Sequence, residues 1–263
     1  MYNLKTAIHA ALLGGQKIME IYQQDFEVEF KSDESPLTKA DQEANQVILN
    51  ILEPTEIPII SEEIKNMPYK ERAKWDLCWM VDPLDGTKEF VKKNGEFTVN
   101  IALIKDGLPI LGVVYWPVNN KLYFASAEQG SYMTLVEQGE LPTDIEELIN
   151  QGEPLPNQPQ PKAYTIVASR SHPSPETDNF INECRSKHGE VDLVSRGSSL
   201  KLCMVAEGSA QVYPRLAPTM EWDTAAAHAV AKYAGCQVLN FENRKELQYN
   251  KEDLLNPYFI VKR

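Results

Sequence analysis

Between Trp79 and Phe90 the chain reads Trp-Met-Val-Asp-Pro-Leu-Asp-Gly-Thr-Lys-Glu-Phe. Two carboxylates, Asp82 and Asp85, bracket Pro83 and the carbonyl of Leu84, and Gly86 and the hydroxyl of Thr87 follow directly. These are hard oxygen donors, the kind that hold Mg²⁺ when the ion shares its coordination shell with substrate phosphates. Two anionic side chains this close repel one another unless a cation lies between them. The plain alternative is an acidic turn, since Asp, Pro and Gly are ordinary turn residues.

Three more carboxylates stand at element boundaries. Glu62 follows the apolar run Ile57 to Ile60. Asp223, in Glu-Trp-Asp-Thr-Ala-Ala, opens an Ala-rich helix, and Asp41, in Thr-Lys-Ala-Asp, opens another. A helix start favours a carboxylate through its free N–H groups and its dipole. Singly, Asp41 and Asp223 read as helix caps and Glu62 as a solvated surface acid. Their occurrence beside the Asp82–Thr87 loop in one chain raises the metal reading above the turn.

The elements that must position these groups follow from periodicity. Leu4, Ala7, Ile8, Ala11, Leu12, Ile18, Met19 and Tyr22 recur at helical spacing, and so do Ala44, Val47, Ile48 and Ile51 in a helix from about Ala40 to Pro54. Phe26 to Phe30 alternates as a strand, and Lys31 to Thr38 reads as a loop. Trp79 to Val81 reads as a buried strand that ends at Asp82, with Pro83 stopping it. Thr98–Ile104, Pro109–Tyr115 and Lys121–Ala125 are strand-like, with Asp106-Gly107 as a hairpin turn. The second half alternates: strand 164–168, helix 176–185, strand 190–194, helix 200–207, strand 210–213 and helix 224–234, closed by Gly235. The expected organisation is an α+β half over 1–136, a polar Pro- and Gln-rich insertion over 137–161 and an α/β half over 162–263.

Composition narrows the class. With 43% apolar and 24% charged residues over 263 positions, the chain is an ordinary globular protein. No apolar run approaches a membrane span, and the N-terminus lacks a signal peptide, so a cytoplasmic location is expected. Cys78, Cys184, Cys203 and Cys236 are scattered without a Cys-x-x-Cys pair and read as buried thiols. A net charge of −12 argues against nucleic-acid polymers as partners. It also requires that any small polyanion be drawn in by local cations against the global field.

Taken together, these motifs resemble the inositol monophosphatase superfamily of Mg²⁺-dependent, lithium-sensitive phosphatases, above all its bacterial CysQ-type branch, the 3′(2′),5′-bisphosphate nucleotidases. The likeness runs through Thr38–Asp41, Ser61–Glu63, Asp82–Phe90, Asn94–Asn100, Ser169–His172, Gly197–Lys201, Val205–Gly208 and Glu221–Ala226. It implies a layered αβαβα sugar-phosphatase-like fold, with a mixed sheet and helices followed by an α/β half. It places metal ligands, for two or three Mg²⁺ ions, on Glu62, Asp82, the Leu84 carbonyl, Asp85 and Asp223. The water-activating pair falls on Asp41 and Thr87. The nucleotide-holding residues fall on Ser169, His172, Ser198, Lys201 and Arg215, and the substrate also meets Gly86 and the metal-loop residues Glu62, Leu84, Asp85, Thr87 and Asp223. Ala217 and Ala227 stand where the branch commonly has glycine, and the 137–161 stretch is long for it.

The implied reaction is hydrolysis of the 3′(2′)-phosphate of adenosine 3′(2′),5′-bisphosphate to AMP and phosphate. Water attacks directly and no phospho-enzyme forms. Mg²⁺ polarises the phosphoryl group, acidifies the water and stabilises the departing alkoxide. A second phosphate needs its own cations, and Lys201 and Arg215 supply them. Rival readings are an inositol monophosphatase or sugar bisphosphatase of the same superfamily, and a non-catalytic nucleotide or Mg²⁺ sensor. The expected partner is the small nucleotide itself, with the chain a monomer or homodimer.

Overall fold

The structure is a computed structural model that describes residues 2–24, 28–30, 36–137, 144–168 and 174–263, with backbone alone at 2, 28–30 and 36–38. In chain order the elements are α1 (Tyr2–Tyr22), β1 (Val28–Phe30), β2 (Pro36–Thr38), α2 (Lys39–Leu52), β3 (Ile59–Ser61), α3 (Tyr69–Arg72), β4 (Leu77–Asp85) and α4 (Thr87–Val91). There follow β5 (Thr98–Lys105), β6 (Leu108–Trp116), β7 (Lys121–Ser126), β8 (Gly130–Leu135), α5 (Ile145–Asn150) and β9 (Glu153–Pro154). The remainder is β10 (Tyr164–Ala168), α6 (Pro175–His188), β11 (Val191–Ser195), α7 (Leu200–Glu207), β12 (Val212–Arg215), α8 (Glu221–Tyr233), β13 (Gln237–Asn240) and β14 (Phe259–Lys262).

Alternation along β3 to β8 sends successive side chains to opposite faces. On one face Trp79, Val81, Val99, Ile101, Val113 and Phe124 pack with Ile8, Leu12 and Ile48 of α1 and α2. On the other, Cys78, Met80, Ala102, Val114 and Ala125 meet Val205, Ala206, Ala226 and Val230 of α7 and α8. That helical layer also meets Val167, Tyr213, Val238 and Phe259 from the second sheet. Ile166, Val212 and Ile260 face outward there against Ile181 and Cys184 of α6. The order is therefore helices, sheet, helices, sheet, helix: the αβαβα layering.

The first sheet runs β3-β4-β5-β6-β7-β8-β9, with β3 parallel to β4 and the other pairs antiparallel. The second runs β11-β10-β12-β14-β13, with parallel pairs at β10 and antiparallel pairs at β14. Small residues let the middle layer approach the first sheet. A Cβ on Gly112 of β6 would lie 2.2 Å from the Ala226 carbonyl of α8, so only glycine fits there. Asp106 and Gly107 both take positive φ, 50° and 77°, as a two-residue turn of this handedness requires.

Several sequence expectations are corrected. β4 does not stop at Pro83: Asp82 pairs with Asn100 and Asp85 with Thr98, so one extra residue of β4 bulges out between them. A bulge frees the N–H position that proline cannot fill, and the strand passes through. Pro36–Thr38 of the expected 31–38 loop form β2, paired with β1, and the expected strand's Phe26 lies outside the described residues. The strands β8, β13 and β14 escaped the sequence reading. Within 144–161, Leu148 and Leu155 are buried and β9 pairs with β8.

Candidate active site

The bulge in β4 sets the local geometry. It turns the chain so that the Leu84 N–H donates to Asp82 Oδ1 at 3.1 Å, while Asp82 and Leu84 are buried at 1% exposure each. Gly86 then takes φ 95°, a left-handed value that suits glycine, and α4 begins at Thr87. The Thr87 hydroxyl lies 3.1 Å from Asp41 Oδ1, and 3.4 Å from the Leu84 carbonyl. Asp41 is fully buried in the first turn of α2. Glu62 directly follows β3, with its N–H donating to the Val81 carbonyl at 3.2 Å. Behind it, Ser61 Oγ donates to Asn45 of α2 at 2.8 Å, which locks β3 to that helix.

The middle helical layer brings the other wall. In the first turn of α8, Asp223 Oδ2 accepts from the Met220 N–H at 2.9 Å. The Ser199 backbone, at the start of α7, favours the charged form of Asp85. Asn100 Nδ2 donates to Asp85 Oδ2 at 3.2 Å, and Asn100 Oδ1 accepts from Thr98 and Ser199 at 3.2 and 2.8 Å. Asp85 is thus oriented by Asn100 of β5, which Ser199 at the start of α7 braces, while the start of α8 holds Asp223.

The acids burden one another. Burial, then Glu62, Asp85, Asp223 and Asp41 in that order, hold the Asp82 carboxyl well above the usual carboxylate range. Burial and the neighbouring Asp85 push Asp223 up to about 8. Asp85 is pushed up to about 6 by burial, against the pull of Lys201 and its hydrogen bonds. Buried, clustered and acceptor-rich carboxylates of this kind suit a cation. Among the described residues no three His, Cys, Asp or Glu side chains converge as a finished cage. A site for Mg²⁺ does not need one, because that ion takes one or two carboxylates and completes its shell with water and phosphate.

A cavity of about 220 Å³ opens beside these groups, lined by Asp85, Gly86, Ser198, Lys201, Arg215 and Asp223 among others. Lys201 Nζ donates to the Arg196 carbonyl at 3.4 Å and stands 5.9 Å from the Tyr213 ring centre. Burial lowers its pKa to about 8, with Asp85 opposing the shift. Arg215 donates through Nη2 to the Pro218 carbonyl at 2.8 Å. Its Nε and the Ser198 Oγ are shielded from water without a partner among the described residues. Ser198 also takes φ 47°, unusual for a residue with a Cβ. Both residues line the cleft, where an acceptor from outside the chain would satisfy them.

Ser169 and His172 lie outside the described residues. The other residues singled out in the sequence come together, through α2, the end of β3, β4, α4, α7, β12 and α8. Asn100, Thr98, Glu96 and Arg196 were missed as functional positions. Asn100 and Glu96 fall inside a stretch noted for its resemblance, but nothing in the pattern assigned them a partner 100 residues away. All four cysteines are buried and free, so none offers a nucleophile to the cleft.

Residues 2–262 match the Inositol monophosphatase family. The chain belongs to that family. Among its curated relatives, the 3′(2′),5′-bisphosphate nucleotidase CysQ of Salmonella typhimurium is 43% identical over 263 residues, 98% of each chain. That of Escherichia coli K12 is 44% identical over 253 residues, 94% of each. Of solved inositol monophosphatase structures, CysQ from Bacteroides thetaiotaomicron is 50% identical with a TM-score of 0.90, covering 99% of this chain and 97% of that one. Bartonella henselae suhB, at 21% identity and a TM-score of 0.72, over 100% of this chain and 94% of that one, shares the fold of the family. No helix among the described residues is long and apolar enough to cross a membrane.

Proposed function

We propose that this chain is a metal-dependent 3′(2′),5′-bisphosphate nucleotidase that hydrolyses the 3′(2′)-phosphate of adenosine 3′(2′),5′-bisphosphate to AMP and phosphate. The observation that carries the reading is the pairing of two chemistries in one cavity: the carboxylates Asp85 and Asp223, and the cations Lys201 and Arg215 facing them. A bisphosphate has one group for each. Relatives carrying that activity in their names, at 43 and 44% identity over nearly the full chain, support it.

Glu62, Asp82, the Leu84 carbonyl, Asp85 and Asp223 are the residues that would hold Mg²⁺, two or three ions in all. Bound there, the metal supplies charge neutralisation at the phosphoryl group and acidifies water. The chain's own part is positioning and proton transfer. Thr87 donates its hydroxyl hydrogen to Asp41, which leaves its oxygen lone pairs to accept from a water on the cleft side. Asp41 is the base at the end of that relay. Asn100 and Ser199 fix the rotamer of Asp85. Lys201, Arg215 and Ser198 take the phosphate that does not react, and Ser169 and His172 belong with them by resemblance.

Phosphate release from adenosine 3′,5′-bisphosphate, with AMP identified as product, tests the reading. Activity should depend on Mg²⁺ and vanish on chelation. Intact adenosine bisphosphate after prolonged incubation with enzyme and Mg²⁺ would refute it.

A further inference from the structure

Three cations line the cavity, Arg196, Lys201 and Arg215, against four acids, Asp85, Glu89, Glu96 and Asp223. Two of the cations are committed to the inner wall. Asp85 is the foremost charge acting on Lys201. Arg215 acts on Asp223 and is tied to the Pro218 carbonyl. Arg196 stands apart from that arrangement. Its side chain is 46% exposed, its nearest carboxylate is Glu96 at 3.8 Å, and Nη1 donates to the Ser195 carbonyl at 3.2 Å. A charge pair at 3.8 Å on a rim is weak and exchangeable.

The backbone beneath Arg196 is, by contrast, fixed. The Gly197 N–H donates to Glu96 Oε2 at 2.8 Å, and a Cβ on Gly197 would lie 2.5 Å from the Glu96 carbonyl. Residues 196–198 are therefore docked on the segment before β5 with no room to spare. On this segment the Ser198 Oγ is shielded from water without a partner among the described residues. A rigid backbone that sets the unpartnered Ser198 hydroxyl and a loosely held Arg196 guanidinium on the lining of one cavity is a receiver for a tetrahedral oxyanion. The guanidinium fork matches two phosphate oxygens at once, which an ammonium cannot do.

We infer that Arg196 is a specificity-determining residue: it leaves Glu96 and closes, bidentate, on the non-reacting phosphate of the substrate from the exposed rim of the cleft, adding a third cation to Lys201 and Arg215. The inference rests on the bisphosphate reading above and assigns within it a residue that the resemblance does not. Glu96 then acts as an internal competitor. A neutral or absent group cannot displace it from Arg196, whereas a phosphate dianion can, so the pair sharpens the choice between bisphosphate and monophosphate.

The test compares wild type, Arg196→Gln and Arg196→Lys on adenosine 3′,5′-bisphosphate and on adenosine 3′-monophosphate at fixed Mg²⁺. Loss of a charge-assisted, bidentate contact should raise KM for the bisphosphate about tenfold with kcat little changed. The lysine variant should fall between, and KM for the monophosphate should move by less than about twofold, since it carries nothing for Arg196 to hold. A bisphosphate KM within about twofold of wild type in the Gln variant, or equal losses on both substrates, would overturn the inference while leaving the nucleotidase reading intact. Wild type inactive on the bisphosphate would instead remove that reading, and this inference with it.

Discussion

Thr87 Oγ1 donates to Asp41 Oδ1 at 3.1 Å across 46 residues of chain, joining the first residue of α4 to the first turn of α2. Thr87 is not the cap of its helix, since Gly86 holds that position and no side chain caps α4. The contact has a chemical use instead: a hydroxyl whose hydrogen is spoken for presents only lone pairs to water.

Thr87→Ala should therefore lower kcat by about a hundredfold or more, in the range of a lost general-base relay, while KM changes little. Thr87→Ser should recover most of it. Asp41→Asn should resemble the alanine variant. A structural role would show differently, as a fall in Tm with kcat near normal.

The metal carboxylates give a stability prediction with a definite sign. Asp223 is held up to about 8 and Asp85 to about 6, from an ordinary value of 3.8, by burial first. The unfolded chain releases these protons near its ordinary value, and the folded metal-free chain releases them later. Stability of the metal-free protein is therefore full at low pH and is lost progressively as pH rises from about 4 toward about 8. Tm measured in chelator should fall between about pH 5 and about pH 8, and Mg²⁺ should flatten the curve by replacing the protons. Asp82→Asn should be at least as stable as wild type in chelator and inactive with Mg²⁺. Near-normal turnover in that variant, or a metal-free Tm that rises with pH, would contradict the assignment.

Lys201→Ala separates the two ends of the substrate. A charge-assisted contact is worth about 1.5–3 kcal/mol, so kcat/KM for adenosine 3′,5′-bisphosphate should fall about ten- to a hundredfold. Any activity on a simple sugar monophosphate should fall far less. Equal losses would place Lys201 in the chemistry at Asp85 rather than in substrate choice.

Much of this arrangement was legible from residue types. The helices α1 and α2 announce themselves by 3.6-residue periodicity, α8 by its Ala-rich run, and α7 spans the expected 200–207. Asp82, Asp85 and Thr87 are close in sequence, so a single loop had to bring them together. What stayed hidden depends on long-range pairing. Pro83 reads as a strand terminator until its partner β5 is known, since a bulge is a relation between two strands. β13 and β14 are short: β14 survives on pairing with β12, and β13 on pairing with β14, rather than on their own pattern. Arg196 looks like any surface cation until Glu96 is seen opposite it.

The central claim is that the carboxylate and cationic ends of one cleft select a bisphosphate nucleotide. The most direct measurement is kcat/KM for adenosine 3′,5′-bisphosphate, inositol 1-phosphate and fructose 1,6-bisphosphate, side by side at one Mg²⁺ concentration. The nucleotide should lead inositol 1-phosphate by about a hundredfold or more, the equivalent of about one to two charge-assisted contacts that a monophosphate cannot make, and should also lead fructose 1,6-bisphosphate, whose second phosphate sits at a different distance. Inositol 1-phosphate or fructose 1,6-bisphosphate turned over as well as or better than the nucleotide would contradict the account.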